Sequence, residues 1–266
     1  MLLIRSLIRS VLTIAGGLKI TSFLWKFLSE LYYLLGIVGF GGFIRRFKSV
    51  AITPEGKIVY RPFLPNDVLM ISGMYEPYVN EVFKPEKGTI VLDIGAYIGY
   101  YTLRASKATG SRGKVIAIEP NPESFSILRE NIKNNKLDNV IILNCAVGQS
   151  NGNVDLYISS HDCAASTTSP TMADQYKCKS RIKVHMITID KLMQRLRIDR
   201  MDWMKIDIEG GELDALQGCQ KIMKKSKNLK IVIETGSEEA LHFLVKLGFS
   251  VRPLKGVNYY FASRVD

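Results

Sequence analysis

Short apolar runs alternate with amphipathic stretches through most of this chain. The runs that predict buried strands are Ile90 to Leu92, Lys114 to Pro120, Val140 to Leu143, Trp203 to Ile206 and Lys230 to Gly236. Between them apolar residues recur at helical spacing, as at Phe125, Leu128 and Ile132. Strands that alternate with helices are typical of βαβ units. The pattern therefore predicts an α/β fold with a mostly parallel central sheet.

The first 48 residues differ, because their apolar residues form helical stripes interrupted by glycines. Seven Lys/Arg against one Glu give residues 1–48 a charge of +6. The pattern predicts a helical appendage with three open interpretations: helices in a membrane interface, helices that cover a protein face or form a dimer, and a membrane span. Its longest uncharged run, residues 31–44, has 14 residues, whereas a span needs about 20. Basic amphipathic helices favour an anionic membrane surface.

The rest of the chain divides into a lead-in and a main domain. Residues 49–85 contain strand-like pieces around a turn at Pro54 to Lys57, so we expect a β-hairpin that leads into the domain of residues 86–266. Within that domain, residues 159–180 are polar and irregular. Structureless stretches of this length are uncommon in compact domains and often carry function. We expect a lid or acceptor-binding loop there, and a flexible surface insertion is the competing interpretation.

Composition restricts the class of protein. The chain has 266 residues, 47% of them hydrophobic, which is enough for one α/β domain and an appendage. A net charge of +11 admits an anionic partner, either a membrane surface or nucleic acid. The four cysteines lack C-x-x-C spacing and the chain has no His-x-x-x-His, so we expect neither a zinc site nor a dense disulfide framework. This cysteine usage favours a reducing compartment.

The stretch TIVLDIGAYIGYYT, residues 89–102, joins a predicted strand to a predicted helix through a glycine-containing turn. Gly95 permits a sharp bend in which the backbone can approach a ligand, and Gly99 lets the following helix pack closely on the strand. The spacing Asp-x-Gly-x-x-x-Gly resembles motif I of the class I S-adenosylmethionine (SAM) methyltransferases and differs from the Gly-x-Gly-x-x-Gly of dehydrogenases. Glu119 ends the next strand, where a carboxylate can accept hydrogen bonds from both hydroxyls of a ribose.

A group of acids follows a later strand in DWMKIDIEGGELDAL, which begins at Asp202. Asp207 and Glu209 lie two residues apart at the carboxyl end of that predicted strand, where open α/β sheets bind ligands. Glu212 lies in the first turn of the next helix, where it can simply favour the helix N-terminus. Because neighbouring carboxylates repel one another, their clustering indicates a function: orienting a hydroxyl, accepting its proton or binding a cation.

The stretches DIGAYIGYYT, VIAIEPNPESFSILRENIKNN, NCAVG, ITIDKL and KIDIEGGELDALQG resemble the FkbM family of SAM-dependent methyltransferases. The resemblance covers about residues 75–234 and departs from the family pattern at Tyr97, often Asn, and Gly211, usually Ala. It implies a Rossmann-like class I methyltransferase fold, with a seven-stranded sheet and helices on both faces. It also implies SAM as the cofactor and O-methylation, commonly of a sugar hydroxyl in a glycan, glycolipid or secondary metabolite.

The expected site residues follow from these motifs. The expected cofactor-binding residues are Glu76, Asp93, Gly95, Tyr97, Gly99, Glu119, Asn144 and Ala146. Glu76 would lie near the charged amino acid end of SAM, and Asn144 and Ala146 near its adenine. Asp207 and Glu209 are the candidate catalytic residues, and no metal ligand is assigned. The expected acceptor is a small molecule or a sugar linked to a glycan or a lipid.

Two other functions fit parts of the sequence. An RNA methyltransferase would suit the net charge, but no Arg-rich cluster lies outside the N-terminal segment, so no nucleic-acid partner is expected. A non-catalytic, membrane-bound SAM-binding protein would bind SAM without turnover. The expected location is the cytoplasm, where SAM is made, with residues 1–48 on the cytoplasmic face of a membrane if they lie in its interface.

Overall fold

The structure, a computed structural model, describes residues 47–62, 64–159 and 165–264. The chain divides into two compact units, residues 1–75 and residues 76–266. All but the last two residues of the predicted helical appendage, residues 1–48, lie outside the described residues, so its three interpretations stay predictions. Within the described ranges, no helix has both the length and the apolar character needed to cross a membrane.

Twelve strands and nine helices are formed by the described residues. The strands are β1 (Ser49–Thr53), β2 (Gly56–Tyr60), β3 (Ile90–Ile94), β4 (Lys114–Ile118), β5 (Val140–Leu143), β6 (Ala146–Val147), β7 (Gly152–Ile158), β8 (Ser180–Ile187), β9 (Trp203–Ile206), β10 (Lys230–Glu234), β11 (Phe249–Pro253) and β12 (Tyr259–Arg264). The helices are α1 (Pro65–Ser72), α2 (Pro77–Val82), α3 (Tyr100–Thr109), α4 (Pro122–Asn134), α5 (Pro170–Gln175), α6 (Ile189–Leu196), α7 (Glu212–Gln217), α8 (Gln220–Lys225) and α9 (Glu238–Lys246).

The first unit contains the hairpin of β1 and β2, followed by α1. The two strands pair antiparallel, and the Thr53 hydroxyl closes their turn by accepting the Glu55 N–H and donating to the Gly56 carbonyl. The hairpin occupies only the start of residues 49–85, because prolines begin α1 and α2 after it. Proline suits the first helical position, where its missing N–H would have no helical partner.

A buried ion pair joins the end of this hairpin to α1. Arg61 donates from Nε to Asp67 Oδ2 at 2.9 Å and from Nη2 to Oδ1 at 3.0 Å, and its main-chain N–H donates to Oδ2 at 2.7 Å. Both side chains are 0% exposed. Because burying two charges carries a large desolvation penalty, the pair depends on this bidentate geometry.

The second unit contains a seven-stranded sheet in the order β11-β12-β10-β9-β3-β4-β5. Strands β10, β9, β3, β4 and β5 are parallel, and β12 runs antiparallel to β10 and β11. The predicted Rossmann-like α/β fold with a mostly parallel seven-stranded sheet is confirmed. The strand order reverses between β3 and β9, and sheets of this kind bind ligands beyond the carboxyl ends of the strands at that point.

Helices cover both faces of the seven-stranded sheet. One face presents Leu92, Ile116 and Ile231 to a hydrophobic cluster that includes residues of α6, α7, α8 and α9. On the other face, Ala117 of β4 packs with Leu128 of α4. Side chains alternate between the two faces along a strand. In β3 and β9, the residues next to those in this hydrophobic cluster therefore point toward the second face.

Three other strands form a separate sheet in the order β6-β8-β7. Strands β7 and β8 are antiparallel, and β6 pairs parallel with β8. Residues 159–180 are not irregular throughout, because their described part contains α5. Ser169 caps the N-terminus of this helix by accepting the Met172 N–H, and Pro170 occupies its first turn. Residues 160–164 of the predicted loop lie outside the described residues.

Replacing Asp67 with Ala should destabilise the first unit, because Arg61 would keep a buried charge without its partner. Loss of one member of a buried pair costs about 3 to 5 kcal/mol. Hydrogen exchange of the β1 and β2 amides in the full chain measures this loss. The control is Asp155→Ala, because Asp155 pairs with Arg181 and Lys183, which are 67% and 77% exposed. In this control, the free energy of opening that exchange reports for the β7 and β8 amides should change by less than about 1 kcal/mol. Equal effects of the two variants would contradict the prediction.

Candidate active site

The turn after β3 packs directly against the turn after β9. Gly95 has a φ of +85°, and a Cβ atom placed on it would lie 1.7 Å from the Asp207 carbonyl oxygen. The sequence predicted that the backbone at Gly95 approaches a ligand, whereas the structure shows it approaching the main chain of Asp207. Gly99 has a φ of +96°, and a Cβ atom there would lie 2.7 Å from Leu128 of α4. The missing side chain of Gly99 thus leaves room for Leu128 of α4. Gly99 also lies at the N-terminus of α3.

The main chain of the first turn is bound by Glu119, which follows β4 and is 6% exposed. Glu119 Oε2 accepts the Tyr97 N–H at 2.8 Å, and Oε1 accepts the Asn121 N–H at 2.8 Å. Tyr97 has a φ of 51°, which is unusual for a non-glycine residue. Asn144 Nδ2 donates to the carbonyl oxygens of Glu119 and Pro120 at 2.8 and 3.0 Å. These bonds hold the Glu119 carboxylate at the carboxyl edge of the sheet.

Asp207 follows β9 and forms an ion pair with Lys205 on that strand. Lys205 Nζ lies 2.7 Å from Asp207 Oδ2, and the two side chains are 3% and 16% exposed. Burial opposes the charged form of a lysine, but the carboxylates of Asp207, Glu76 and Asp93 outweigh it and raise the Lys205 pKa. The side chain is therefore a buried ammonium at neutral pH.

Glu76 lies at the N-terminus of α2 with a left-handed φ of 42°. Tyr101 donates its hydroxyl to Glu76 Oε2 at 2.8 Å, and Tyr259 donates to Oε1 at 3.0 Å. Burial and the charge of Glu76 raise the pKa of both tyrosines, which keeps them as donors. At the end of β10, burial and the neighbouring Asp207 raise the pKa of Glu234 to about 9. Glu234 therefore holds a proton at neutral pH.

Asp93 lies on β3, directly opposite Lys205 on β9. The Thr102 hydroxyl of α3 donates to Asp93 Oδ2 at 2.6 Å, and burial raises the pKa of this carboxyl. Its observed contacts are therefore with neighbouring elements of the fold. Four acids from four elements share this region, and we name them the acidic cluster: Glu76, Asp93, Asp207 and Glu234.

Glu209, the second predicted catalytic residue, has different neighbours. Its φ is 58°, its Oε2 accepts the Tyr176 hydroxyl at 2.5 Å, and its carbonyl oxygen accepts the Thr167 hydroxyl at 2.6 Å. Burial and the charge of Glu209 raise the Tyr176 pKa, so this hydroxyl remains a donor. The described part of residues 159–180 thus contacts the turn after β9.

Two further residues singled out in the sequence take part in local packing. Glu212 Oε1 accepts the Gly210 N–H at 2.7 Å, and the Thr235 hydroxyl donates to its Oε2 at 3.2 Å. These bonds support its position at the start of α7. Ala146 is buried with Leu156 and Val184 in the small sheet, so the structure does not place its methyl group within the acidic cluster.

One set of carboxylates has the spacing of a metal site. Glu76, Asp207 and Glu234 bring one oxygen each within 4.8 Å of one another, the one such set among residues 47–62, 64–159 and 165–264. Lys205 already places a positive charge against Asp207. An acidic set of this kind suits any cationic ligand, and the absence of a metal stays a prediction.

Residues 93–251, more than half of the chain, match the family model of the Methyltransferase FkbM domain. The chain belongs to the FkbM methyltransferase family. The matched residues form a SAM-dependent methyltransferase domain, with S-adenosylmethionine as its cofactor. The predicted family, enzyme class and cofactor are confirmed.

This FkbM enzyme is similar to two curated methyltransferases over part of their length. It is 25% identical over 151 residues to the hexuronic acid methyltransferase AglP of Haloferax volcanii, covering 57% of this chain and 58% of the relative. It is 24% identical over 157 residues to the methyltransferase sdnD of Sordaria araneosa, covering 49% and 60% respectively. The chain therefore spans about three fifths of the length of these relatives.

A solved structure also matches the FkbM enzyme. The crystal structure of a methyltransferase FkbM from Methylobacillus flagellatus KT has a TM-score of 0.48 and 18% sequence identity, and the match covers 75% of this chain and 54% of that chain.

Sequence reasoning missed four residues of the FkbM site: Lys205, Tyr101, Tyr259 and Tyr176. Lys205 had a signal, since a single charge within the apolar run WMKI is unusual for a buried strand. The tyrosines had none, because tyrosine is common in strands, helices and loops alike. Tyr259 contacts Glu76 across 183 residues of chain, and no local pattern reports such a pairing.

Replacing Gly95 with Ala should destabilise the FkbM domain by at least about 4 kcal/mol, because the new methyl group would overlap the Asp207 carbonyl. Gly88→Ala is the matched control, since Gly88 has a similar φ of +83° and a Cβ atom placed on it would meet no other atom within 4 Å. The control should cost only the left-handed backbone term, about 1 to 2 kcal/mol. Urea unfolding of the full chain measures the free energy of unfolding of both variants. Equal losses would contradict the prediction, because the close contact between Gly95 and the Asp207 carbonyl would then add nothing to the backbone cost.

Proposed function

We propose that this FkbM enzyme methylates a hydroxyl group of a sugar in a glycan, glycolipid or secondary metabolite. The observation that carries the proposal is the Asp207 carboxylate, which follows β9 beside the Gly95 turn, where the strand order of the sheet reverses. A carboxylate at this edge can accept the proton of a hydroxyl acceptor. Similarity to a hexuronic acid methyltransferase supports a sugar as that acceptor.

Two groups of side chains have the chemistry to hold SAM. Glu119 presents a fixed carboxylate, and a carboxylate can accept hydrogen bonds from both hydroxyls of a ribose. The carboxylate of Glu76 suits the positively charged amino group at the amino acid end of the cofactor. The other cofactor-binding residues of this proposal are Asp93, Gly95, Tyr97, Gly99, Asn144 and Ala146.

The protein side of the reaction is to orient the acceptor oxygen and accept its proton. SAM supplies a methyl group on a positively charged sulfur, which leaves as a neutral thioether. Asp207 takes the hydroxyl proton as the new oxygen–carbon bond forms, and proton transfer of this kind contributes about 100- to 10,000-fold. Glu209 is the second catalytic candidate, and its bond to Tyr176 favours a part in orienting the acceptor.

The segments outside the sheet extend the proposal to acceptor binding and location. Thr167 and Tyr176 bind Glu209, which supports residues 159–180 as the acceptor-binding segment. The charge of +6 on residues 1–48 supports their attraction to an anionic membrane surface on the cytoplasmic side. An enzyme held there would reach sugars that are linked to lipids. The proposal includes a division into three parts: a helical segment at residues 1–48, a β-hairpin lead-in at residues 49–85 and the methyltransferase domain at residues 86–266.

Glu119→Ala should weaken SAM binding about 100-fold or more, because it removes two charge-assisted hydrogen bonds of about 1.5 kcal/mol or more each. Calorimetric titration of the full chain in detergent measures the affinity. Glu238→Ala is the control, because Glu238 is exposed on α9. Unchanged affinity in the Glu119 variant would remove this carboxylate from the proposed site.

Asp207→Asn should lower kcat about 100- to 10,000-fold, the range for loss of a general base, while leaving SAM affinity within a few-fold. The assay follows transfer of a radiolabelled methyl group to a panel of methyl glycosides of hexuronic acids and neutral hexoses, with RNA as a separate arm. Asp214→Asn, an exposed carboxylate of α7, should retain full turnover.

Each arm of this assay has an outcome that would contradict the proposal. Methylation of RNA and of no sugar would favour the RNA methyltransferase alternative. Full turnover by the Asp207 variant would remove Asp207 as the base. SAM binding without methylation of any acceptor in the panel would favour the non-catalytic alternative.

A further inference from the structure

Lys205 is a buried cation in the strand that ends at the candidate base. It lies on β9, paired with Asp93 of β3 on one side and with Val232 of β10 on the other. Its Nζ atom lies 2.7 Å from Asp207 Oδ2 and 4.7 Å from the centre of the Tyr101 ring. A lysine is almost never fully buried unless it is paired, so its position needs an explanation.

The groups that interact with Lys205 come from several elements of the fold. They are Asp207 after β9, Asp93 on β3, Glu76 before α2, Glu234 at the end of β10 and Tyr101 on α3. Four of these are acids, and Lys205 forms its salt bridge with Asp207. Two of the other acids accept hydrogen bonds from hydroxyl groups: Glu76 from Tyr101 and Tyr259, and Asp93 from Thr102.

The two oxygens of Asp207 differ in their surroundings. Oδ2 accepts from Lys205 on the buried side, where the lysine side chain is 3% exposed, while the Asp207 side chain as a whole is 16% exposed. No hydrogen-bond donor to Oδ1 is present in the described part of the chain. The ammonium thus engages one oxygen and leaves the other for a group that enters from the edge of the sheet.

We propose that Lys205 is a positioning residue for methyl transfer: it holds Asp207 through Oδ2 so that Oδ1 faces the acceptor hydroxyl. The inference rests on the proposed function of Asp207. A one-ångström misplacement of a reacting group can cost about 100-fold in rate. Lys205 itself touches neither the acceptor nor the transferred group, so its effect on the reaction passes through Asp207.

A purely structural role makes a different prediction. A buried ion pair is weak evidence for stability, because well-packed apolar residues often replace it without loss. If Lys205 only neutralised the acidic cluster, its removal would lower stability and leave kcat per folded molecule unchanged. If Lys205 positions Asp207, removal of Lys205 should lower kcat only while Asp207 can act as a base. In a variant that already lacks this base, removal of Lys205 should cause no further loss.

The test is a double-mutant cycle in the full chain, with Lys205→Met, Asp207→Asn and the combination. The acceptor is the sugar with the highest turnover in the glycoside panel, and kcat, KM and thermal unfolding are measured for each protein. Lys205→Met should lower kcat about 100-fold with the KM for SAM nearly unchanged. The combination should be no slower than Asp207→Asn alone, because both changes disable one unit.

Lys230→Met is the matched control. Lys230 also pairs with a carboxylate, Glu86, at 3.1 Å, and its Nζ lies 4.9 Å from the Trp203 ring. It starts the neighbouring strand β10, whereas Asp207 follows the end of β9. Loss of this cation should leave kcat unchanged. A loss equal to that of Lys205→Met would show that any paired lysine of the sheet has the same effect.

The outcomes separate the inference from the proposed function. Unchanged kcat in Lys205→Met, or losses that multiply in the combination, would overturn the positioning role while Asp207 stays the base. Full turnover by Asp207→Asn, or a panel with no sugar methylated, would overturn the proposed function and the inference with it. If Lys205→Met does not fold, Lys205→Gln, which removes the charge but keeps a polar side chain, replaces it in the same cycle.

Discussion

The candidate site depends on main-chain contacts that join the ends of β3, β4 and β9. The Asp207 N–H donates to the Ile94 carbonyl at 3.0 Å, and the Gly95 and Ala96 N–H groups both donate to the Ile118 carbonyl at 3.0 Å. Gly95 fits between these strand ends because it lacks a Cβ atom. The position of Asp207 is therefore set by the sheet itself. A side chain held by the sheet is more precisely placed than one on a loop.

Three non-glycine residues at this edge adopt left-handed backbone conformations. Glu76, Tyr97 and Glu209 have φ values of 42°, 51° and 58°, and each such residue costs about 1 to 2 kcal/mol. Specific bonds offset the cost: Glu119 accepts the Tyr97 N–H, and the Thr167 hydroxyl donates to the Glu209 carbonyl. Strained residues cluster where surrounding structure fixes them, often at functional sites. Here they direct two carboxylates and an aromatic side chain at one edge of the sheet.

The sequence predicted the sheet better than the site, for a physical reason. Strands β5 and β9 begin and end where the apolar runs do, because the strands of a sheet covered by helices consist mostly of apolar residues. The same rule located Glu119 and Asp207 at strand ends. It could not locate their partners, since a hydrogen bond between Tyr259 and Glu76 depends on the strand order. Helix α5 was missed because its six residues are too few for a helical period to stand out.

The charge of the whole chain says little about the charge at the site. The chain carries +11, yet the acidic cluster places four carboxyl groups around Lys205. Exposed charges are screened beyond about 8 to 10 Å, so a basic surface does not neutralise a buried acidic group. Each acid instead has its own partner: an ammonium for Asp207, two tyrosine hydroxyls for Glu76, a threonine hydroxyl for Asp93 and a retained proton for Glu234.

These different partners make the four acids chemically unequal. Like charges in contact cannot all stay ionised, so a group of acids works only if its members separate in protonation state. Glu234, with its pKa raised to about 9, remains neutral at the pH at which a base must be charged. Lys205 holds one oxygen of Asp207 by direct contact. The cluster therefore combines a neutral Glu234 with an Asp207 side chain that an ammonium holds in place at the edge of the sheet.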